Sequence, residues 1–203
     1  MSRSDYFHLL VHAEKIGDAG DFTLSKAESN PEFHTRLAEI LLKRDVPKVI
    51  WEPYAGHTRR SYKQGVLNQM GVILISFDLT PFDDGVQKAD SLTQKPDEVV
   101  GGVFFHPPYW GSSRQSEDSR DLSWIDDWNQ YVDGLRKSIG LISEAVCKMG
   151  VVCAVGRSYR HNGKSVRLGV TYLDIFEEFG FRLDKIWISE PDVALVLTKV
   201  GDV

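Results

Sequence analysis

The segment Val103 to Gly111, VFFHPPYWG, places a histidine, two consecutive prolines and two aromatic residues directly after an apolar run. Proline cannot donate a hydrogen bond to a sheet ladder and is poorly tolerated inside a central strand, so a strand must end near His106. The residues from His106 to Tyr109 therefore form a stiff segment, called the ledge below. A neutral imidazole on it accepts a hydrogen bond through one nitrogen, whereas a protonated one only donates.

Two further apolar runs also end in polar residues. The segment Glu52 to Thr58, EPYAGHT, contains Gly56, which permits close backbone approach to a ligand or a positive φ before a helix begins. Asp78 ends the next run, where a carboxylate can accept both hydroxyls of a ribose. Glycine is common at strand-to-helix turns and an N-cap or turn aspartate looks the same, so the structural and the binding interpretations both stay open.

The elements that must position these residues alternate along the chain. The patterns predict strands at 48–51, 72–78, 99–105 and 151–155, helices at 59–70, 124–149 and 168–179, and two last strands at 181–189 and 193–200 around a turn at 190–192. This order favours an α/β fold with a mostly parallel, doubly wound sheet and a C-terminal antiparallel hairpin strand. Ligands collect at the carboxyl ends of such strands, so we expect the three polar strand ends to form one site.

Composition limits the class of protein. The 203 residues, 42% hydrophobic and 26% charged, are typical of one globular domain, and we expect a single domain over 1–203 with 1–30 as an N-terminal extension. Cys147 and Cys153 are expected to be reduced core thiols, and no Cys/His spacing indicates a metal site. Without a leader or a long apolar run, the expectation is a cytoplasmic protein with no membrane partner. The net charge of −5 argues against nucleic-acid binding by bulk charge, so any such contact needs a local basic patch.

The order WEPYAG, FD and FFHPPYW resembles the S-adenosylmethionine-dependent methyltransferases that modify exocyclic amino groups of nucleobases in DNA. Their signature is Asp/Asn-Pro-Pro-Tyr/Phe/Trp, and in a group of short bacterial and phage members it reads His-Pro-Pro-Tyr. Supporting similarities are Asp121-Leu-Ser123, the segment from Ala154 to Gly169, and Pro31 to Leu37 ahead of the first strand. The resemblance covers most of the chain from about residue 30. It implies a Rossmann-like methyltransferase fold and S-adenosyl-L-methionine as the cofactor.

The resemblance also implies roles for the ledge. His106 would accept one amino hydrogen, the Pro107 carbonyl the other, Pro108 would stiffen the segment, and Tyr109 would offer a face to an extruded base. The amino nitrogen is conjugated to its ring and must become tetrahedral as it attacks, so preorganised acceptors assist it. Because His106 replaces the more common acid, methyl transfer is expected to fall as the pH drops through the histidine pKa, near 6.5.

Cofactor contacts follow from the same similarity. The implied residues are Phe33 and His34 in the leading motif, Glu52, Tyr54, Ala55 and Gly56 around the methionine part, Asp78 at the ribose and Asp90 at the adenine amino group. The alternatives are a solvated loop acid for Asp90 and an ordinary amphipathic helix start for Phe33 and His34. Thr58 stands where the family usually has another glycine, so contact there is expected to differ.

Nucleic-acid contact is expected from the basic segment 157–167, in which Asn162-Gly163 predicts a hairpin turn. The residues predicted to contact nucleic acid are Trp110, Arg157, Tyr159, Arg160, Lys164 and Arg167, with a second patch at Arg59, Arg60 and Lys63. Such clusters are also common on solvated surfaces. The segment 117–133 carries six acids and one arginine, and it would repel a phosphate backbone unless it faces away.

The sequence therefore predicts an enzyme that methylates adenine N6 or cytosine N4 in DNA, as in restriction-modification. No separate target-recognition domain is expected, so specificity would come from the loop 111–124, the basic hairpin, a homodimer or a separate specificity subunit. The alternatives are methylation of RNA or of a protein glutamine, and a non-catalytic partner subunit in which His106 is only a strand-end residue.

Overall fold

The computed structural model describes residues 14–15, 31–56, 60–112, 114–189 and 192–201. Its helices are α1 (Pro31–Leu42), α2 (Arg60–Gln69), α3 (Trp128–Ala145) and α4 (Leu168–Glu178), with a 3-10 turn at Leu122–Trp124. Its strands are β1 (Glu14–Lys15), β2 (Val49–Glu52), β3 (Ile73–Asp78), β4 (Gln87–Lys88), β5 (Val100–Phe105), β6 (Val146–His161), β7 (Lys164–Arg167), β8 (Phe181–Ser189) and β9 (Asp192–Lys199).

The described strands form one sheet in the order β1-β8-β9-β6-β5-β2-β3-β4, and β7 pairs with the end of β6. The pairs from β4 to β6 along this order are parallel, whereas β9 runs antiparallel to both β6 and β8. The mostly parallel α/β sheet with an antiparallel C-terminal strand is thus confirmed. From β2 the chain adds β3 and β4 on one side and then β5 on the other, so a ligand crevice is expected between β2 and β5.

Side chains that alternate along the strands supply two apolar layers. Phe104 packs in a layer with α1 and α2, whereas Phe105 packs in the opposite layer with α3 and α4. Successive strand residues point to opposite faces, which is why two adjacent phenylalanines enter different layers. The same alternation sends Trp51 to the α3 side and Ile50 to the α1 side. It also decides which face the following Glu52 enters.

The long helix differs from its predicted bounds of 124–149. It begins at Trp128, where the Asp127 carboxylate accepts a hydrogen bond from the Gln130 N–H at 2.9 Å, and it ends at Ala145. The strand that follows starts at once and contains an irregularity at Met149, which has a φ of 65°. The apolar spacing of 141–149 fits helix and strand alike, so pairing with β5 decided the boundary.

The predicted hairpin at Asn162-Gly163 is confirmed by the β6/β7 pairing and by φ angles of 48° and 74°. The strand predicted at 151–155 is longer because it continues into this hairpin. Residues 190–191 of the last predicted turn, and most of the predicted extension 1–30, lie outside the described residues. None of the described helices has the length and apolar character needed to cross a bilayer.

Candidate active site

The carboxyl ends of β2, β3 and β5 surround a cleft that is open to solvent. Tyr54 lies on its wall with its ring edge-to-face against Phe105, 5.8 Å between centroids. The predicted site residues that line this cleft are Tyr54, Gly56, Asp78, Asp90, His106, Pro107, Pro108 and Tyr109. The three strand ends singled out in the sequence therefore meet at one place.

Gly56 and Asp78 are joined directly at the floor of the cleft. Gly56 has a φ of 60°, a conformation that glycine adopts at little cost, and its N–H donates to Asp78 Oδ2 at 2.9 Å. The Thr80 N–H donates to Asp78 Oδ1 at 2.8 Å, so Asp78 is a turn residue and also faces the cleft. A carboxylate has roughly four acceptor sites, so it retains capacity for ligand hydroxyls. Ala55 is buried, with its N–H on the Phe77 carbonyl, and does not line the cleft.

Asp90 also lines the cleft. Its Oδ1 accepts the Leu92 N–H at 2.9 Å, and its Oδ2 is 3.8 Å from Arg120 Nη1. Arg120 also makes a bidentate ion pair with Asp118. The Ser91 hydroxyl donates to the Pro53 carbonyl and ties this turn to the end of β2. The sequence did not predict that Arg120 lines the cleft. The only feature of the sequence that distinguishes Arg120 is that it is the single cation in the acidic segment 117–133.

Glu52 does not line the cleft, because the strand alternation turns its side chain toward α1 and α2. Lys63 Nζ donates to its Oε1 at 2.5 Å, His34 Nε2 lies 3.2 Å from the same oxygen, and the Ser76 hydroxyl donates to Oε2 at 3.1 Å. Burial alone would raise the pKa of Glu52, but the Lys63 ammonium and the His34 ring outweigh it and hold the pKa at about 2. This cluster of Glu52, Lys63, His34 and Ser76, called the carboxylate cluster below, lies behind the cleft wall.

Two sequence expectations change with this placement. His34 and Glu52 belong to the carboxylate cluster, and Phe33 packs against Phe104 at 6.5 Å, so none of these three side chains reaches the cleft. The prediction that Lys63 belongs to a basic surface patch is wrong, because Lys63 is 3% exposed and paired with Glu52. The side chains of Arg59 and Arg60, like Thr58, lie outside the described residues.

On the ledge, His106 Nε2 lies 3.0 Å from the Tyr109 hydroxyl. Tyr109 is only 6% exposed, because its ring stacks on Tyr159 with centroids 6.0 Å apart and planes 16° apart. The ring was expected to offer an open face on which a base could stack, but in this structure it is packed into the wall of the cleft. Tyr131 on α3 donates to the Pro108 carbonyl at 2.9 Å and holds the ledge. In the sequence Tyr131 has only the spacing of a core residue on a helix, so its contact with the ledge could not be predicted.

The acidity of His106 also departs from expectation. The pKa of His106 is lowered to about 4, mainly by burial; the Asp192 and Glu52 charges raise it and the Lys63 and Arg157 charges lower it by smaller amounts. The imidazole is therefore neutral at pH 7 and retains one accepting nitrogen. The loss of activity expected near pH 6.5 accordingly moves down to about pH 4.

Trp110, expected to contact nucleic acid, is 7% exposed and lies edge-on to both Trp128 and His161. Its Nε1 donates to the Asp126 carbonyl at 3.1 Å, and its own carbonyl accepts from the Tyr159 hydroxyl at 2.6 Å. Trp110 thus joins α3 to the hairpin, and the expectation of surface contact is wrong for it because apolar packing buries it. Tyr159 is occupied on one face by Tyr109.

The basic residues of the hairpin divide into two kinds. Arg157 forms a bidentate ion pair with the buried Asp192, at 2.7 Å and 3.1 Å, so its charge is engaged inside the protein. Arg160, Lys164 and Arg167 are exposed, and nucleic-acid contact by these three stays a prediction.

The loop after the ledge is held along the cleft by the Asp-Leu-Ser segment. Asp121 Oδ1 accepts the Ser123 N–H at 2.8 Å, and Ser123 Oγ accepts the Gln115 N–H at 3.0 Å. Gly111 opens the loop with a φ of 68°, and a Cβ there would lie about 2.4 Å from the His161 ring. This loop therefore borders the part of the cleft nearest the ledge.

No family model and no curated protein matches the sequence. Among solved structures, the chain is similar to 1,6-didemethyltoxoflavin-N1-methyltransferase from Burkholderia thailandensis, with S-adenosylhomocysteine bound (TM-score 0.54, 10% identity, 98% of this chain and 87% of that one). It is also similar to a SAM-dependent methyltransferase from Bacteroides fragilis in complex with S-adenosyl-L-homocysteine (0.52, 10%, 89% and 84%). A third is N-methyltransferase NodS from Bradyrhizobium japonicum WM9 (0.50, 11%, 84% and 96%). The chain has the Rossmann-like methyltransferase fold.

Proposed function

We propose that this chain transfers a methyl group from S-adenosylmethionine to an exocyclic amino group of a nucleobase, adenine N6 or cytosine N4 in DNA. The observation that supports this most is the position of the ledge. His106 and Pro107 line the same cleft as Gly56 and Asp78, at the carboxyl ends of adjacent strands. A methyl-donor site and a pair of amino-group acceptors would then share one cleft.

The residues present fit the cofactor. The positive φ of Gly56 allows the backbone to approach a ligand closely, Asp78 retains acceptor capacity for ribose hydroxyls, and Asp90 lines the same cleft for the adenine amino group. When bound, S-adenosylmethionine supplies an electrophilic methyl group on a sulfonium. Two proteins of similar fold are described with S-adenosylhomocysteine bound, which supports this choice of cofactor.

The chain itself would act by holding the amino group. A nucleobase amino nitrogen shares its lone pair with the ring. Hydrogen bonds accepted from both of its N–H groups favour the tetrahedral form of the nitrogen, which can attack the methyl group. Neutral His106 supplies one acceptor and the Pro107 carbonyl the other, and the hydrogen bond from Tyr131 to the Pro108 carbonyl keeps the ledge rigid. One of the two amino protons leaves to solvent once the nitrogen has gained the methyl group.

The decisive experiment incubates the protein with labelled S-adenosylmethionine and unmodified genomic DNA and identifies the digested nucleosides by mass spectrometry. We expect N6-methyladenine or N4-methylcytosine, formed far more slowly with His106→Ala. Parallel reactions with total RNA and with protein extract test the other substrates. Label in RNA or protein alone would overturn the DNA assignment, and cofactor binding without transfer to any of the three would favour a non-catalytic partner subunit.

Asp78→Asn should weaken binding of S-adenosylhomocysteine, because the amide offers one acceptor oxygen in place of two and must still serve the Gly56 and Thr80 N–H groups. Hydrogen bonds to charged groups contribute about 1.5–3 kcal/mol, which corresponds to a roughly 10- to 150-fold higher Kd. Isothermal titration calorimetry measures this directly. The exposed Asp84→Asn, in the following loop, is the matched control and should bind as the parent does. Equal affinities for both variants would contradict the ribose role.

Replacing Arg160, Lys164 and Arg167 together by glutamine should weaken DNA binding and flatten its salt dependence. Arg160 pairs with Ser165, and Arg167 pairs with Ser158. Paired residues, and residues two positions apart on one strand, point to the same face, so Arg160 and Arg167 lie on one face of the hairpin. Removing one cation from a DNA phosphate reduces the slope of log K against log salt by about 0.9, so removing three predicts a change of up to roughly 2.7. Fluorescence anisotropy with a labelled duplex at several salt concentrations gives both values.

The control for this variant removes three exposed lysines away from the hairpin, Lys43, Lys137 and Lys148. Lys43 precedes β2, and Lys148 lies near the start of β6, where this strand pairs with the first residue of β5, so both lie toward the end of the sheet opposite the cleft. The net charge falls by the same amount in both triple variants. An equal loss of DNA affinity in both would indicate bulk charge and exclude a hairpin interface.

A further inference from the structure

A buried chain of hydrogen bonds links the ledge to the last strand. Asp192, at the start of β9, has no exposed surface, and Arg157 Nε and Nη2 donate to its two oxygens at 2.7 Å and 3.1 Å. The Tyr109 hydroxyl lies 3.3 Å from Asp192 Oδ1 and 3.0 Å from His106 Nε2. Four side chains from three separate segments thus end at the imidazole. The methyltransferase signature accounts only for His106 and Tyr109.

The order of protons along this chain follows from its charges. Tyr109 has a single hydroxyl proton and two neighbours that could accept it. The Arg-paired Asp192 carboxylate can only accept a hydrogen bond, whereas an imidazole nitrogen can donate or accept, so the Tyr109 hydroxyl donates to Asp192. The phenol oxygen then presents a lone pair to His106 Nε2, and a lone pair on that nitrogen would repel it. The imidazole proton must therefore be on Nε2.

We infer that Asp192 and Tyr109 are positioning residues that hold His106 as its Nε2–H tautomer and leave Nδ1 as the atom that accepts the substrate amino hydrogen. The role of Nδ1 rests on the proposed function; the tautomer does not. Arg157, expected from the sequence to contact nucleic acid, instead holds the Asp192 carboxylate in place. Replacing a residue that orients a metal-bound histidine typically costs about 10- to 100-fold in affinity or activity, and we expect a loss of similar size here.

The surroundings of His106 favour a neutral ring, which is what a fixed tautomer requires. Four charged groups act on the ring: Asp192 on β9, Arg157 on β6, Lys63 on α2 and Glu52 on β2. Burial has a larger effect on the pKa of His106 than any of these charges, and it lowers that pKa. Burial also raises the pKa of Tyr109 well above its usual value, so the phenol keeps its proton. Neither end of the His106–Tyr109 contact changes its charge near pH 7.

The test is long-range ¹H–¹⁵N NMR of the ¹⁵N-labelled full chain at pH 7, which separates the two neutral histidine tautomers by nitrogen shift and coupling pattern. The His106 signals are assigned by their loss in His106→Asn. We expect the Nε2–H form alone in the parent and a mixture of tautomers in Tyr109→Phe. Tyr172→Phe, which removes another buried phenol beside the ledge strand, is the control and should leave the spectrum unchanged.

Kinetics supply the second measurement. Tyr109→Phe should lower kcat about tenfold or more while leaving the KM for S-adenosylmethionine within about twofold, because phenylalanine keeps the ring in the cleft wall and removes only the hydroxyl that positions His106. An Nδ1–H tautomer in the parent, or an unchanged tautomer in Tyr109→Phe, would overturn the inference. The expected spectra without methyl transfer to any substrate would support the tautomer lock and contradict the proposed function.

Discussion

His106→Ala should lower the rate of methyl transfer by about 10²- to 10³-fold, the usual effect of removing one preorganised polar group from a catalytic site. In the proposed mechanism the neutral imidazole, in contact with Tyr109, is one of two acceptors, and alanine would leave the amino group with only the Pro107 carbonyl. Single-turnover transfer to DNA at saturating cofactor isolates this step. Binding of S-adenosylhomocysteine and the Tm should stay close to those of the parent. A rate within threefold of the parent would exclude His106 from the chemistry.

His106→Asn distinguishes the acceptor role from simple filling of space. The asparagine carbonyl accepts a hydrogen bond but does not titrate, so part of the activity should return. In the parent, protonation of His106 removes its acceptor, so activity should be level above pH 5 and fall as the pH approaches about 4. His106→Asn should lose that acidic limb. A limb at the same pH in both proteins would assign it to another group.

Glu52→Gln should lower the free energy of unfolding by about 3–5 kcal/mol, because it leaves the Lys63 ammonium buried without its counter-ion. For a chain of this length that corresponds to a fall in Tm of roughly 10 °C. Because the pKa of Glu52 is depressed in the folded state, its contribution is fully present above about pH 4.5 and is lost as the pH falls through about 2. Urea unfolding at pH 7, followed by circular dichroism, measures the change.

Two further variants make this prediction specific. Glu39→Gln removes an exposed carboxylate from α1 and should change stability by less than about 0.5 kcal/mol. Glu52→Gln combined with Lys63→Met removes the unpaired charge and should recover part of the loss, since the two residues are in contact. Additive losses in the double variant would show that no ion pair stabilises the carboxylate cluster.

Local sequence was sufficient for the architecture and for the meeting of three strand ends at one cleft. Alternating apolar runs and helical periods predicted the mostly parallel sheet, and each of its three polar strand ends follows a short apolar run that is typical of a buried strand. The prolines after His106 forbid a continued ladder, so the ledge had to lie at the carboxyl end of β5. Gly56, Asp78, Asp90 and the ledge meet in one cleft for this reason.

What a buried side chain touches depended on the tertiary structure. A period-two pattern shows that Glu52 and Trp51 point to opposite faces, but not that His34 and Lys63 would enclose Glu52. The sequence indicates a surface cation at Arg157, but the pairing of β6 with β9 places Asp192 opposite it and forms the ion pair. Contacts between residues 35 to 83 positions apart, such as Tyr109 with Asp192, leave no local pattern. They depend on strand order and register, which only the assembled sheet determines.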